Sequence, residues 1–228
     1  MKKKLCQFEG FTLIEVMIVT VVVVILGLIT TDVLTQSLRG QSKVKVINQV
    51  KQNGQVILEK LSSEIRQAEK VVCTDHNTTA PNDYDTLVIF GQNALVGTPS
   101  AQITGNGYTR FRFYNATPGS NGYIASDTFS LEDAQNITSV FGNLCVSSAP
   151  QPSGKNYLSD LSSTGGVSLS REDNITPVFD WDYQAGYGDL VTVTFQASEG
   201  KRAGGTYESQ VESGGVPFAT TVKVRGSR

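Results

Sequence analysis

Few side chains in this sequence have both the type and the setting to do chemistry. Glu15 is the first. It is the one ionisable group in residues 11–29, a run otherwise made of apolar and uncharged residues. A carboxylate at membrane depth is costly, and where one persists it holds a cation or serves a function. The cysteines Cys6, Cys73 and Cys145 are the next candidates. Asp180, Asp182 and Asp189 flank Trp181 and a glycine turn at residues 186–188. Oxygen ligands so spaced can hold calcium, but the pattern is not an EF-hand loop, and solvated turn carboxylates are the simpler reading. No metal or cofactor is expected. The one histidine, His76, falls beside Asp75 in a polar stretch, residues 75–83, that reads as a surface loop. The sequence contains no G-x-S-x-G, P-loop, HExxH or Cys/His zinc spacing, so an enzyme is not expected.

The element that must position Glu15 is the apolar run itself. At about 1.5 Å per residue it is just long enough for a hydrocarbon core of roughly 30 Å. Its many β-branched residues are poor helix formers in water. A bilayer reverses that preference, because only a helix pairs each backbone group within the segment. Lys2, Lys3 and Lys4 precede the run, which places the N-terminus in the cytoplasm and the rest outside. A cleaved secretory signal fits poorly, since the run is long and no A-x-A site follows it.

Beyond Thr30 the pattern turns amphipathic. Ile47, Val50, Gly54, Ile57, Leu58, Leu61, Ile65, Ala68 and Val72 recur mostly in steps of three and four, a single helical stripe. One helix is therefore expected from about residue 11 to about residue 71, with Gly40 and Gly54 as places where it bends. From Cys73 onward the period changes. Strands are expected at residues 86–90, 108–114, 123–129, 143–146, 177–183, 190–195 and 218–225, the last two as an antiparallel pair. In residues 108–114 Phe111 and Phe113 share one face and Arg110 and Arg112 the other, as in a half-buried strand. Residues 151–166 read as a loop, and residues 200–215 as a long connection with a short strand at Tyr207. The fold class is α+β: a long N-terminal helix, its inner half transmembrane, packed on antiparallel sheet.

The residues Gly10-Phe11-Thr12-Leu13-Ile14-Glu15-Val16, behind a short basic leader and abutting the apolar run, resemble the prepilin peptidase site of the type IV pilin and type II secretion pseudopilin family. The resemblance implies a pilin-like fold, a cut between Gly10 and Phe11, and N-methylation of Phe11. It divides the chain into a leader (1–10), a transmembrane part of the helix (11–30), its outer amphipathic half (31–72) and an exported β-rich domain (73–228). Glu15 becomes the fifth residue of the mature chain. In lipid, the Glu15 carboxylate of an incoming subunit would then meet the Phe11 amine of its neighbour and set the register of assembly. Residues 52–68, 174–181, 189–195 and 219–225 further resemble the J-type pseudopilin and W-type minor pilin. Asp32 stands where many major pilins have a helix-kinking proline, which suits a minor subunit.

If the leader is lost, Cys6 goes with it. Cys73 and Cys145 are then an even pair in an oxidising compartment, and a disulfide between them is expected. The alternative is two buried free thiols, which a thiol titration with and without reductant separates. The implied partners are prepilin peptidase, other pilins or pseudopilins through the helix, the inner-membrane assembly platform and the membrane itself. The net charge of −2 argues against nucleic acid, despite a small basic group at Lys201, Arg202, Lys223, Arg225 and Arg228. The implied function is a structural subunit of a type IV pilus or type II secretion filament, in a tip or priming complex. A major pilin, or a membrane-anchored adhesin or binding module, are the alternatives.

Overall fold

The computed structural model describes residues 12–77, 84–96, 103–116, 120–141, 143–145, 156–158, 166–173, 176–184, 188–200 and 215–226. Helix α1 is Leu13–Gln67. The chain divides into two compact units between Lys45 and Val46.

In the first unit α1 is exposed, its apolar side chains from Leu13 to Leu38 included. It is long and apolar enough to cross a membrane. Its threonines fit such a setting. Thr20 Oγ1 donates to the Met17 carbonyl at 2.9 Å, Thr30 to Leu26 at 2.9 Å, Thr31 to Gly27 at 2.8 Å and Thr35 to Thr31 at 2.8 Å. Each hydroxyl is satisfied by the helix's own backbone and needs no water.

In the second unit the stripe Val50, Gly54, Ile57, Leu61, Ile65 and Ala68 is buried. It packs on two antiparallel sheets. The first has the order β1 (Lys70–Asn77), β2 (Tyr84–Val96), β3 (Ile103–Tyr114), β4 (Tyr123–Ser130) and β5 (Asn156–Tyr157). The second is built on β8 (Gly188–Glu199). β9 (Val216–Lys223) lies along one edge of β8, while β6 (Val167–Ser170) and β7 (Phe179–Gln184) share the other. One core joins the α1 stripe to Leu87, Ile89, Phe111, Phe113 and Ile124 of the first sheet and to Val191, Val193, Phe195 and Val222 of the second. A second helix, α2 (Leu131–Phe141), sends Ala134 and Ile137 onto the opposite face of the first sheet, against Val88 and Phe129. The α+β class and the pairing of β8 with β9 are as expected from the sequence.

Several expectations are corrected. The helix ends at Gln67 rather than near residue 71, because the Glu69 amide donates to the Phe90 carbonyl at 2.7 Å and the chain joins β2. From there Val71 enters the main core, while Val72 and Cys73, across a shift in the β1–β2 register, both pack against the smaller one. Residues 75–77, read as loop, are strand. Residues 143–145 form a turn instead of a strand, with the Cys145 amide held by Asn143 Oδ1 at 2.8 Å. The 151–166 loop contributes β5, paired with Ala125 and Ser126. α2 and β6 were not anticipated. At Gly54 the helix runs on unbroken, and the glycine has a packing role: the Phe218 ring sits where a Cβ would stand. Tyr207 lies outside the described residues.

Candidate functional site

Gly10 and Phe11 lie outside the described residues. The described chain starts at Thr12, and Glu15 stands in the first turn of α1. The Glu15 and Val16 amides donate to the Thr12 carbonyl at 3.1 and 3.3 Å. Thr12 and Glu15 thus occupy the first and fourth places of a capping box, and the positive end of the helix dipole favours a carboxylate there. Helix initiation alone is therefore one use for Glu15. Among the described residues no side chain pairs with its carboxylate.

Cys73 and Cys145 are joined in a disulfide, with Cα atoms 6.2 Å apart. Cys73 lies in β1 rather than at the helix end, so the bond ties an edge strand to the turn that follows α2.

The three aspartates named from the sequence are not brought together. β7 and β8 pair Tyr183 with Asp189 and Asp182 with Leu190. Asp180 and Asp182 therefore share one face and Asp189 takes the other. The first two are exposed. Asp189 is buried, and its carboxylate accepts the Val71 amide at 3.2 Å and the Trp181 indole N–H at 3.1 Å. It ties the start of β1 to the second sheet.

His76 is not on a loop. It lies in β1, partly exposed, with Nδ1 against the Asp85 carboxylate. Asp85 is fully buried and has other partners: Arg171 Nε and Nη2 at 2.9 Å each, and the Val178 amide at 2.8 Å. The Arg171 guanidinium also lies 5.7 Å from the centre of the Phe113 ring. With this many donors on one carboxylate, Asp85 is a clamp between the two sheets.

The half-buried reading of β3 is also corrected: Arg110 and Arg112 are buried with Phe111 and Phe113, Arg110 in the row with Val88, on which α2 packs. Arg110 Nη2 donates to Asp127 at 3.3 Å, and its guanidinium lies 5.7 Å from the centre of the Phe129 ring. Burial, and next the charge of Arg112, pull Arg110 below the usual guanidinium range, while Asp127 pulls it back. Arg112 Nε donates to Thr86 Oγ1 at 3.2 Å. Phe111 and Phe113 belong to the core, and Tyr114 stacks on Tyr123 at 4.7 Å.

Of the basic C-terminal residues, Lys223 and Arg225 are exposed, while Lys201, Arg202 and Arg228 lie outside the described residues. Along α1 and β9, Gln55, Glu59, Ser63, Arg66 and Thr220 line an open groove of about 530 Å³. Glu64 lies nearby on α1, exposed at its surface; neighbouring groups that partly shield its carboxyl from water push it above the usual range, with Lys60 opposing.

The arrangement offers one helix long and apolar enough to cross a membrane, and it uses buried charge to hold the two sheets and α2 together. Asp85, Arg171, Asp127 and α2 were missed from the sequence. A signal for α2 was present: Ser130 and Asp133 form a reciprocal cap, with the Asp133 amide donating to Ser130 Oγ at 3.2 Å and the Ser130 amide to Asp133 Oδ2 at 3.3 Å. Comparison of the chain with protein-family models, with curated proteins and with solved structures finds no match to any of them.

Proposed function

We propose that this chain is a non-enzymatic structural subunit of a type IV filament machine, a minor pilin or pseudopilin of a type IV pilus or type II secretion filament. The observation that carries the reading is where the motif falls. Gly10-Phe11-Thr12-Leu13-Ile14-Glu15 lies directly at the start of a helix long and apolar enough to cross a membrane. That same helix continues into a stripe buried in a β-rich unit. A plain anchor needs the apolar run alone. It has a capping use for Glu15, but it gives no reason for the glycine–phenylalanine pair ahead of it.

On this reading the chain inserts in the inner membrane with its N-terminus inside. Prepilin peptidase removes residues 1–10, and the freed Phe11 amine is methylated. The subunit waits as a membrane pool, then joins a tip or priming complex through its helix and the assembly platform. Glu15 pairs with the Phe11 amine of the next subunit, since a lone carboxylate in lipid costs several kcal/mol. The Cys73–Cys145 bond suits an exported domain.

The test is co-expression with a prepilin peptidase, followed by N-terminal sequencing and intact mass. The expected product begins at a methylated Phe11. An intact leader overturns the proposal. A second measurement follows Glu15→Ala into filaments, where incorporation should fall sharply.

A further inference from the structure

We propose that Arg39, Lys43 and Lys45 bind the phosphates of anionic lipid headgroups in the leaflet where the apolar run of α1 ends. The inference rests on α1 spanning a membrane and not on the filament reading.

The charge pattern is the first observation. Between Asp32 and Glu59 the sequence has no carboxylate, yet it carries Arg39, Lys43, Lys45 and Lys51. This runs against a chain whose net charge is −2. All three proposed residues are exposed on a helix that is continuous through them, and among the described residues none makes an ion pair.

Distance is the second. From Leu13 to Thr31 the helix covers about 28 Å, the thickness of a hydrocarbon core. Arg39 stands about 12 Å beyond Thr31 along the axis, Lys43 about 18 Å and Lys45 about 21 Å. Helical side chains lean toward the N-terminus of their helix, here back toward the bilayer. A side chain reaching about 6 Å in that direction puts the Arg39 guanidinium in the headgroup layer. It leaves the two ammonium groups within about one Debye length, roughly 8 Å, of that layer.

Angular position favours lipid over a protein partner. At about 100° per residue, Arg39 and Lys43 lie about 40° apart, whereas Lys45 lies about 160° around from Lys43. A partner helix reads one stripe. Headgroups surround a spanning helix and meet cations on every side of it. Each cation near an anionic surface favours binding by about five-fold.

The experiment uses the full chain in phosphatidylcholine vesicles with trace spin-labelled phosphatidylglycerol or spin-labelled phosphatidylcholine. The motionally restricted fraction of each gives the lipid preference at the protein boundary. The reference carries K2Q/K3Q/K4Q, which removes the contribution of the leader. In low salt it should prefer phosphatidylglycerol by about five-fold or more, and about 0.5 M NaCl should weaken the preference. Adding R39Q/K43Q/K45Q should bring it close to one, while R39K/K43R/K45R should keep it. Flotation with the vesicles verifies that each variant is inserted. A reference without preference overturns the proposal. So does an inserted glutamine variant that keeps it, the result expected if these cations serve carboxylates of a neighbouring subunit instead.

Discussion

Two arginine–aspartate pairs lie buried on opposite faces of the same sheet, and they are built differently. Register puts His76, Asp85, Phe113 and Ile124 in one row on the α1 face. Cys73, Val88, Arg110 and Asp127 form a row on the α2 face. In the first row Arg171 reaches over from the end of β6 and grips Asp85 with two bonds of 2.9 Å, and the Val178 amide adds a third. In the second the pair stays within one sheet and meets through a contact of 3.3 Å. Burying two charges costs several kcal/mol apiece, and only good geometry with further hydrogen bonds recovers it. Asp85 meets that condition and couples two sheets. Arg110 and Asp127 keep a charge under a helix whose cover is also secured by a covalent bond, Cys73–Cys145.

The sharpest way to break this comparison is Asp85→Ala. It strands the Arg171 guanidinium and frees the Val178 amide, so urea unfolding of the detergent-solubilised chain should show a loss of about 5 kcal/mol. Reducing the disulfide, or the double change Cys73→Ser and Cys145→Ser, should cost about 4 kcal/mol by the loop-closure argument. Hydrogen exchange should then rise first in α2 while β8 stays protected, because only the α2 face loses its tie. Asp127→Ala should cost about 3 kcal/mol, but Arg110→Met with Asp127→Leu should come out near neutral, since an apolar pair replaces a weakly bonded ionic one. If that double variant were as damaged as Asp127→Ala, the two pairs would be equivalent after all.

The smallest effect concerns Glu64. Its folded pKa lies above the unfolded value, so the folded state holds the proton more tightly. The ionised carboxylate therefore costs stability at any pH above the folded value, and the cost vanishes as pH falls below the ordinary carboxylate range. Glu64→Gln should raise the melting midpoint slightly at pH 7 and leave it unchanged near pH 3.

The α1 face could be read in advance because it is written in apolar residues at helical spacing: Val50, Ile57, Leu61 and Ile65 can face only a core. The alternation of Phe111 and Phe113 pointed to the same core. The α2 face could not, because Arg110 and Arg112 are residues that solvent accepts equally well, and nothing local to β3 says that a helix will pack on that face. Asp85 and Asp189 were hidden for a related reason. Their partners Arg171 and Val71 lie 86 and 118 residues away in sequence, and only topology brings them close. Glu15 stood out in the sequence by its setting, a carboxylate where lipid is expected, and the structure adds its place in the first turn of α1.

The seat of Phe218 on Gly54 has a mechanical side. Within the β-rich unit, a load along the axis of α1 would act as shear along the Val50–Ile65 stripe. A ring resting on a glycine acts as a detent. To slide by one turn, about 5.4 Å, the helix would have to bring Val50 or Leu58 under that ring, and neither leaves it room. Load then passes from Phe218 into Phe195, stacked on it at 5.4 Å, and along the β8–β9 ladder from Leu190 to Ala197. The disulfide lies on the far face of the other sheet, off this path, and guards a region that an axial pull does not strain.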